Sequence, residues 1–275
     1  MHIEVQERLV LTAALANAVE RDEFTLVFQP IYDLANQSLA GAEALVRWRH
    51  PERGEIGPAQ FLALTEESGL IVVLGQHIMR QALAALKDWM PIISSRPFYL
   101  SVNVSARQLK EPDFARSTLA LLQEYHVPAT RLVLEITESV FIENVEETKR
   151  VLEEVTSTGA RISLDDFGTG YSSLSQLQHL PIHQLKIDQS FVRRLALGGE
   201  GRVVVTAIVQ LAEAMHLEAV AEGIETQFQL DELIELGCRR GQGWLLSRPN
   251  TKTIIRELIL GDLAVQRERT ETRAV

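Results

Sequence analysis

The chain has 275 residues, a formal net charge of −10 and 46% hydrophobic residues. This length suits a single α/β barrel with a substantial core, and the negative charge disfavours binding to duplex nucleic acid. No run approaches the roughly 18 apolar residues that a membrane helix needs, and residues 1–8 lack the apolar core of a signal peptide. The single cysteine, Cys238, excludes an intramolecular disulfide and a thiolate cluster. We therefore expect a cytoplasmic protein.

Strand-like and helical patterns alternate along the chain. Residues 8–21 come first and carry apolar side chains at helical spacing, as in a lead-in helix, a domain connector or a partner-docking surface. The predicted strands cover residues 25–31, 39–47, 99–104, 131–136, 160–165, 183–187, 217–222 and 241–246. The predicted helices cover residues 58–67, 72–90, 113–125, 144–158, 171–179, 201–215, 226–236 and 251–260. This alternation predicts a parallel sheet wrapped by helices, closed as a barrel or open and doubly wound.

The chain reads as one domain, because it contains no linker rich in Pro, Gly or Ser and no low-complexity segment. We divide it into a lead-in helix at residues 1–22, a folded domain at 23–262 and a polar, frayed tail at 263–275.

Residues 162–173 form the most informative stretch, since an apolar strand delivers two adjacent carboxylates, Asp165 and Asp166, into a loop with two glycines. Gly168 and Gly170 allow that loop to turn sharply or to approach a ligand closely. Adjacent carboxylates repel each other unless a cation or a shared proton neutralises them. A solvated turn that caps the next helix has the same composition, so this stretch alone leaves both interpretations open.

Six predicted strands carry a polar side chain near their C-terminal ends, on the face opposite their apolar residues. These residues are Glu43, Asn103, Glu135, Asp165, Lys186 and Glu222. One strand with a wet surface face would look similar, but strands flanked by helices are normally apolar on nearly every residue. Six such strands favour convergence on one site at the carboxyl end of a barrel.

The candidate ligands at this end offer only hard oxygen donors. They are Glu43, Asn103, Glu135, Asp165, Asp166 and Glu222. Such donors suit Mg²⁺ or Mn²⁺ rather than zinc or copper. Five carboxylates exceed the needs of one ion, whereas two ions bridged by Asp165 would use them. Pairs of this kind catalyse phosphoryl-transfer hydrolysis.

An ordered set of motifs runs through the chain over about residues 20–260. It includes Glu-Ala-Leu-Val-Arg-Trp at 43–48, and further motifs that begin at Phe28, Ser101, Leu134, Asp165, Leu185, Ala221, Gln242 and Ser247. This set resembles the EAL domains, which are bacterial cyclic-di-GMP phosphodiesterases. The resemblance implies an α/β fold, a modified TIM-type (β/α)8 barrel with one antiparallel strand. It also implies hydrolysis of cyclic-di-GMP (c-di-GMP) to linear pGpG with two Mg²⁺ or Mn²⁺ ions.

The resemblance also implies a role for each motif residue. One metal would be held by Glu43, Asn103, Glu135 and Asp165, and the second by Asp165, Asp166 and Glu222. Lys186 would hold or polarise the attacking water and could contact the phosphate. Glu222 has also been viewed as a general base in this family, but a metal-bound carboxylate is a poor base, so we favour its role as a ligand.

Other positions are similar to supporting and substrate-contacting residues of the family. The substrate contacts would be Gln29, Leu45, Arg47, Gln242 and Glu225. Arg47 could instead form an ion pair at the barrel rim, and Glu225 could simply start the helix at Thr226. Glu138 resembles the residue that steadies the loop at 166–173, and the alternative is an acid at a helix N-terminus.

The sequence departs from the family pattern at two places. Trp244 stands where a tyrosine is usual, which retains the aromatic bulk and loses the phenol. The following pair, Leu245 and Leu246, lacks the usual aromatic residue. Neither departure falls on a proposed metal ligand.

Three functions compete, and an active, metal-dependent phosphodiesterase leads. A catalytically silent c-di-GMP receptor would normally lack some of the carboxylates or the loop pattern, and all are present here. A metal-dependent aldolase or isomerase on the same fold would need an enolising base and a single metal. From the family we also expect a homodimer, and from the N-terminal helix a regulatory domain on the N-terminal side.

Overall fold

The computed structural model describes residues 2–141, 145–168, 177–197 and 199–273. The described residues form nine strands: β1 (Phe24–Asp33), β2 (Leu39–His50), β3 (Gly54–Ile56), β4 (Tyr99–Asn103), β5 (Leu132–Thr137), β6 (Arg161–Phe167), β7 (Gln184–Ile187), β8 (Glu218–Ala221) and β9 (Arg240–Gly241). They also form ten α-helices: α1 (His2–Ala18), α2 (Pro58–Ser68), α3 (Ile71–Ile93), α4 (Ala106–Leu109), α5 (Phe114–Tyr125), α6 (Val145–Thr156), α7 (Gln189–Arg194), α8 (Gly199–Ala214), α9 (Gln227–Glu235) and α10 (Lys252–Arg273). Short 3₁₀ helices occupy Ala129–Arg131, Glu138–Phe141 and Leu195–Leu197.

Eight of these strands close into a barrel. The hydrogen-bonded order is β1-β9-β8-β7-β6-β5-β4-β2, and the ring closes because β1 also pairs with β2. β1 runs antiparallel to both of its neighbours, whereas the remaining barrel pairings are parallel. β3 lies outside the ring as a hairpin partner of β2. The predicted modified TIM-type (β/α)8 barrel with one antiparallel strand is therefore confirmed.

The barrel wall separates two apolar regions. A large cluster fills the space between the strands and the surrounding helices, with Trp48, Trp89 and Phe61 among its fully buried side chains. A small cluster is separate and comprises Ile31, Ala40, Tyr99, Val133 and Val220. Tyr99, Val133 and Val220 lie an even number of residues before Asn103, Glu135 and Glu222, so they share the inward strand faces with the polar residues. The barrel interior is thus apolar midway and polar toward its carboxyl end.

Short caps fix the helices that begin at the carboxyl ends of the strands. Ser105 and Gln108 form a capping box at the start of α4, and Thr226 and Gln229 form another at the start of α9. Asp188 caps α7, since its carboxylate accepts a hydrogen bond from the Ser190 amide at 2.9 Å. Because each cap satisfies amides that the helix leaves free, these connections hold the ends of their strands in place.

The structure differs from the predicted elements in a few segments. Only Gly241 of the predicted strand at 241–246 lies in β9. Gly243 lies against Ile224, where an added Cβ would be 2.2 Å from the Ile224 amide nitrogen. β3, α4 and α7 were not predicted. Most of the predicted helix at 171–179 lies outside the described residues. Residues 263–273 continue α10 where a frayed tail was expected, and the domain boundaries at 22 and 262 stay predictions. Within the described ranges, no helix has the length and apolar character needed to cross a membrane.

Candidate active site

The polar strand ends meet in a cleft of about 600 Å³ at the carboxyl end of the barrel. Its described lining includes Gln29, Glu43, Leu45, Arg47, Asp165, Lys186, Glu222, Glu225 and Gln242. A second cavity, of about 620 Å³, shares Leu45 with this cleft and reaches Asn103 and Glu135. The strand-face argument thus predicted which side chains lie at this end of the barrel.

The ammonium of Lys186 is the centre of the site. Its Nζ lies 2.6 Å from Glu222 Oε1, 2.7 Å from Glu135 Oε2, 3.2 Å from Asp165 Oδ2 and 3.6 Å from Glu43 Oε2. The side chain of Lys186 is only 2% exposed. Because β7 stands between β6 and β8 in the barrel, a long side chain on its inward face reaches the ends of its neighbours.

Two amides brace the carboxylates around the lysine. Asn103 Nδ2 donates to Glu43 Oε1 at 2.8 Å. Gln242 Nε2 donates to Glu43 Oε2 at 2.6 Å and to Glu222 Oε1 at 3.2 Å. The Gln242 Oε1 atom is buried and has no hydrogen-bond partner among the described residues. Gln242 therefore ties β9 to β2 and β8 and leaves one acceptor available in the site.

The site carries more negative than positive charge. With all groups ionised, four carboxylates and one ammonium leave three net negative charges in a buried place. Burial would lower the pKa of Lys186, but the surrounding carboxylates outweigh it and raise that pKa well above its ordinary value. Burial and the charge of Glu43 raise the pKa of Glu135 well above the usual range. Burial likewise raises the pKa of Glu222 to about 8, against the opposing effect of Lys186.

The pKa of Glu43 shifts in the opposite direction to the pKa values of Glu135 and Glu222. Burial would raise its pKa, but Lys186 and the hydrogen bonds from Gln242 and Asn103 together lower it below the ordinary value. The cluster thus contains one firmly ionised carboxylate and two, Glu135 and Glu222, that hold protons more readily. A surplus of buried carboxylates of this kind is a common feature of sites that bind cations or move protons.

The donors suit a hard metal ion, yet their present spacing is set by Lys186. Among the described residues, no group of three or more His, Cys, Asp or Glu side chains has the spacing to hold a metal ion. The carboxylate oxygens converge on the ammonium instead. The predicted metal ligands Glu43, Asn103, Glu135, Asp165 and Glu222 are thus brought together, and their ligand roles stay predictions.

Asp165 and Asp166 lie where the strand pairing is irregular. The register between β6 and β7 shifts between Leu164 and Phe167, and Asp166 has a φ of 56°. Ordinary alternation along β6 points Asp165 toward Lys186, and the bulge leaves Asp166 exposed at the rim. Partial burial and the charge of Asp165 raise the pKa of Asp166.

Glu138 holds the beginning of the loop that follows β6. Its Oε1 accepts a hydrogen bond from the Gly168 amide at 2.9 Å, and its Oε2 is buried with no partner among the described residues. This contact joins Glu138 to the start of the loop, and its predicted role in steadying the loop stays a prediction. Residues 169–173 of that loop lie outside the described residues.

The predicted substrate-contacting residues line the cleft above the carboxylates. The Gln29 amide donates to the Ser247 carbonyl, which attaches β1 to the segment after β9. Arg47 lies 3.8 Å from Glu55 on the hairpin strand β3, so the rim ion pair considered as an alternative is present. Glu225 precedes the cap of α9 and pairs with Arg193 at 3.2 Å.

Three rim residues were not among the predicted site residues. Arg193 on α7 lines the cleft, as do Trp244 and Arg248 after β9. The Arg248 guanidinium stacks 4.6 Å from the centre of the Trp244 ring, which is 59% exposed. Arg248 belongs to the Ser-Arg-Pro motif, so the motif could have identified it as a site residue. Arg193 has no such signal, because a cation on a surface helix is common.

A closed (β/α)8 barrel with an acid-rich cleft at its carboxyl end belongs to the class of barrel proteins whose functional site lies at that end of the strands. The EAL domain family model matches residues 12–249. The chain therefore belongs to the EAL domain family.

Named relatives and a solved structure show the same relationship. The chain is 39% identical over 249 residues to the bifunctional diguanylate cyclase/cyclic di-GMP phosphodiesterase MucR of Pseudomonas aeruginosa, covering 90% of this chain and 36% of MucR. It is 38% identical over 245 residues to the cyclic di-GMP phosphodiesterase PA2567 of the same organism, covering 89% of this chain and 41% of that protein. A structure of the PaMucR phosphodiesterase in complex with c-di-GMP superposes with a TM-score of 0.85 at 38% identity, covering 89% of this chain and 99% of the other. The chain thus spans well under half the length of these curated relatives.

Proposed function

We propose that this domain hydrolyses cyclic-di-GMP to linear pGpG with the help of two Mg²⁺ or Mn²⁺ ions. In this reaction a water oxygen forms a bond to one phosphorus, and the bond from that phosphorus to a 3′ oxygen breaks. The proton of the water passes to the leaving 3′ oxygen. The observation that carries the proposal is the cluster of four carboxylates around Lys186 at the floor of a 600 Å³ cleft.

The donor chemistry supports a metal site in this cluster. The oxygens of Glu43, Asn103, Glu135 and Asp165 would hold one ion, and those of Asp165, Asp166 and Glu222 the second. The excess of carboxylates over the single ammonium favours divalent cations, because Lys186 alone cannot neutralise all four acids. When bound, such ions lower the pKa of water and offset charge on the phosphoryl oxygens.

Lys186 has a different task in this proposal. Its pKa is raised, so it remains a cation throughout the neutral range. A buried ammonium with several carboxylate partners can hold a water or a phosphate oxygen in a fixed place, because its hydrogen-bonding directions are set by those partners. Lys186 therefore orients the attacking water or the phosphate oxygen, and Glu222 serves as a ligand.

The rim supplies contacts for an anionic dinucleotide. Arg47 and Arg193 pair with exposed acids, and a phosphate could compete with those acids for their guanidinium groups. Gln29, Leu45, Gln242 and Glu225 would contact the guanine and ribose groups. Glu138 would act through the Gly168 amide to hold Asp166 near the second ion.

The first experiment measures hydrolysis of c-di-GMP by the purified chain with Mg²⁺ or Mn²⁺, read by chromatography. Wild type should form pGpG, and Asp165→Asn should form none. Asp113→Asn, which changes an exposed acid on the surface of the barrel, is the matched control and should behave as wild type. Binding of c-di-GMP without any product would indicate a catalytically silent receptor instead of an enzyme. Absence of both product and binding would refute the proposal.

A second experiment tests the metals without relying on turnover. Calorimetric titration of Mn²⁺ into the metal-free chain should show two sites in wild type. Glu43→Gln should lose one of them, because the change removes a ligand of the first ion only. Unchanged titration curves in Glu43→Gln and Asp165→Asn would remove these residues from the metal site.

Three properties of the whole protein complete the proposal. We infer a homodimer, a regulatory domain on the N-terminal side and a cytoplasmic location. The short coverage of the curated relatives supports a longer parent protein. Light scattering coupled to gel filtration tests the dimer, and a strict monomer with full turnover would refute it.

A further inference from the structure

A second charged cavity lies at the opposite, amino end of the barrel. Its volume is about 310 Å³, which equals roughly ten water molecules at about 30 Å³ each. Its lining includes Arg96, Tyr99, Arg131, Arg161, Glu218 and Arg240. Several of these residues are the first of their strands, so the cavity and the cleft at the carboxyl end are on opposite faces of the barrel.

Two of the four arginines in this cavity have full acidic partners. Arg240 Nη1 donates to Asp33 Oδ2 at 2.7 Å, and its Nε donates to Glu218 Oε1 at 2.9 Å. Arg96 forms an ion pair with Asp262 on α10. These two guanidinium groups are neutralised by the protein itself.

The other two arginines lack such partners. Arg131 donates to backbone carbonyls, including those of Phe98 at 2.9 Å and Ile93 at 3.2 Å, and it forms no ion pair among the described residues. The Arg161 side chain makes no hydrogen bond to any described residue. Its closest acid is Glu218, whose Oε2 lies 4.0 Å from Arg161 Nη1. Glu218 is already engaged by Arg240 at 2.9 Å. The cavity therefore has surplus positive charge at Arg131 and Arg161.

A buried donor also faces this cavity. The hydroxyl of Tyr99 is buried and has no hydrogen-bond partner among the described residues. Its neighbour Gln184, which opposes the rise in the pKa of Tyr99, donates to Glu218 at 2.8 Å. Burial and the charge of Glu218 raise the pKa of Tyr99 to about 12, so the hydroxyl keeps its proton at neutral pH. Buried hydroxyl groups normally have a partner. The ring that carries this one lies under the Arg161 guanidinium, 4.7 Å from the ring centre.

We propose that this cavity binds a small phosphate-class oxyanion, held by the Arg161 guanidinium and the Tyr99 hydroxyl beside the charge of Arg131. Planar guanidinium donors match the oxygens of phosphate, and an anion would supply the acceptor that both Arg161 and Tyr99 lack. The donors come from three neighbouring strands, which suits a tetrahedral anion better than a planar carboxylate. The site is separate from the carboxylate cluster and does not depend on the proposed hydrolysis.

The test is calorimetric titration of inorganic phosphate into the metal-free chain at constant ionic strength. Wild type should bind phosphate saturably with one site, and acetate should bind more weakly. Arg161→Gln should weaken binding by about tenfold or more, because it removes a charge-assisted hydrogen bond. Tyr99→Phe keeps the ring under Arg161 and should also weaken binding, by a smaller factor.

Two controls separate this cavity from other sites. Arg116→Gln removes an exposed arginine on α5 and should leave phosphate affinity within twofold of wild type. Arg47→Gln should do the same, which would exclude binding at the rim of the carboxyl-end cleft, where Arg47 is proposed to pair with phosphate. Repeating the titration with AMP distinguishes free phosphate from a phosphate monoester as the preferred ligand.

The proposal fails if wild type shows no saturable phosphate binding, which would mean that water alone fills the cavity. It also fails if both Arg161→Gln and Tyr99→Phe bind as wild type does. Circular dichroism establishes whether each variant is folded. If Arg161→Gln does not fold, Tyr99→Phe alone tests the proposal.

Discussion

The two ends of the barrel carry buried charge of opposite sign. At the carboxyl end one ammonium, that of Lys186, faces four carboxylates. At the amino end four arginines face three acids within the described part of the chain. Those acids are Asp33, Glu218 and Asp262. Each surplus indicates the sign of the ligand that would neutralise it: cations at the buried carboxylates, and an anion at the partly buried Arg131 and Arg161.

The two ends also differ in what their charges do for the fold. At the amino end, Arg240 makes short hydrogen bonds to Asp33 and Glu218, which join β9, β1 and β8. At the carboxyl end the carboxylates repel one another and raise the pKa of Glu135 and Glu222. Removing an acidic charge at the amino end should therefore lower the free energy of unfolding. Removing one at the carboxyl end should raise it.

The largest expected effect is on turnover in Lys186→Met. Loss of a preorganised cation beside the reacting phosphate should lower the rate of c-di-GMP hydrolysis by about 100-fold or more. Metal binding, measured by calorimetry, should persist because no proposed ligand is removed. Lys252→Met is the matched control, since Lys252 pairs with Asp88 on the surface. Equal rates in wild type and Lys186→Met would remove this residue from the mechanism.

The next prediction compares the free energy of unfolding after an acid-to-amide change at each end of the barrel. Glu135→Gln should abolish hydrolysis yet raise the free energy of unfolding of the metal-free chain by about 1 kcal/mol, because it removes one of four crowded carboxylates. Asp33→Asn should lower that free energy by about 1–3 kcal/mol, because it weakens a buried charge-assisted hydrogen bond from Arg240. Urea unfolding measures both. A loss of stability in Glu135→Gln would contradict the proposed surplus of negative charge.

A smaller effect is expected for Glu138→Gln. The amide replaces a charged acceptor of the Gly168 amide with a neutral one, which weakens this hydrogen bond by about 1 kcal/mol. The rate of hydrolysis should fall by several-fold to tenfold, with little change in KM, because the contact positions the loop and not the substrate. Glu138→Ala, which removes the acceptor, should lose more activity than Glu138→Gln. Wild-type rates in both variants would show that the contact has no role in positioning.

Sequence reasoning was effective where a short-range rule applied. Side-chain alternation along strands predicted that Glu43, Asn103 and Glu135 share one end of the barrel, because strand parity is a local property. It did not predict that Lys186 would occupy the centre of the carboxylates. That outcome depends on barrel closure and on the reach of one long side chain, which are properties of the folded chain.

The amino-end cavity was not predicted from the sequence for a related reason. Arg131, Arg161 and Arg240 each stand at or next to the start of a strand, where a charged residue is an ordinary boundary signal. They lie far apart along the chain and belong to no common motif. Only the order of strands in the barrel brings them together around Tyr99.

The smallest effect concerns His183, which precedes β7 at the amino end. Burial and the nearby Arg161 lower its pKa below the ordinary 6.5, and its Nδ1 accepts a hydrogen bond from the Ile162 amide at 3.3 Å. A protonated Nδ1 could not accept that bond. As the pH falls below 6.5, the unfolded chain gains a proton on this residue before the folded chain does, so stability decreases until the folded-state pKa is passed.

His183→Gln should therefore lose less stability than wild type when the pH is lowered from about 7.5 to about 5, as measured by urea midpoints. Replacement of the exposed His179 by glutamine is the control and should leave the pH dependence of wild type unchanged. If His183→Gln and wild type differ by a constant amount at each pH, the imidazole is not held neutral by its surroundings. If instead the difference disappears on adding phosphate, the anion at the amino end offsets the charge of Arg161 and raises the pKa of His183, which would join the two proposals about that end of the barrel.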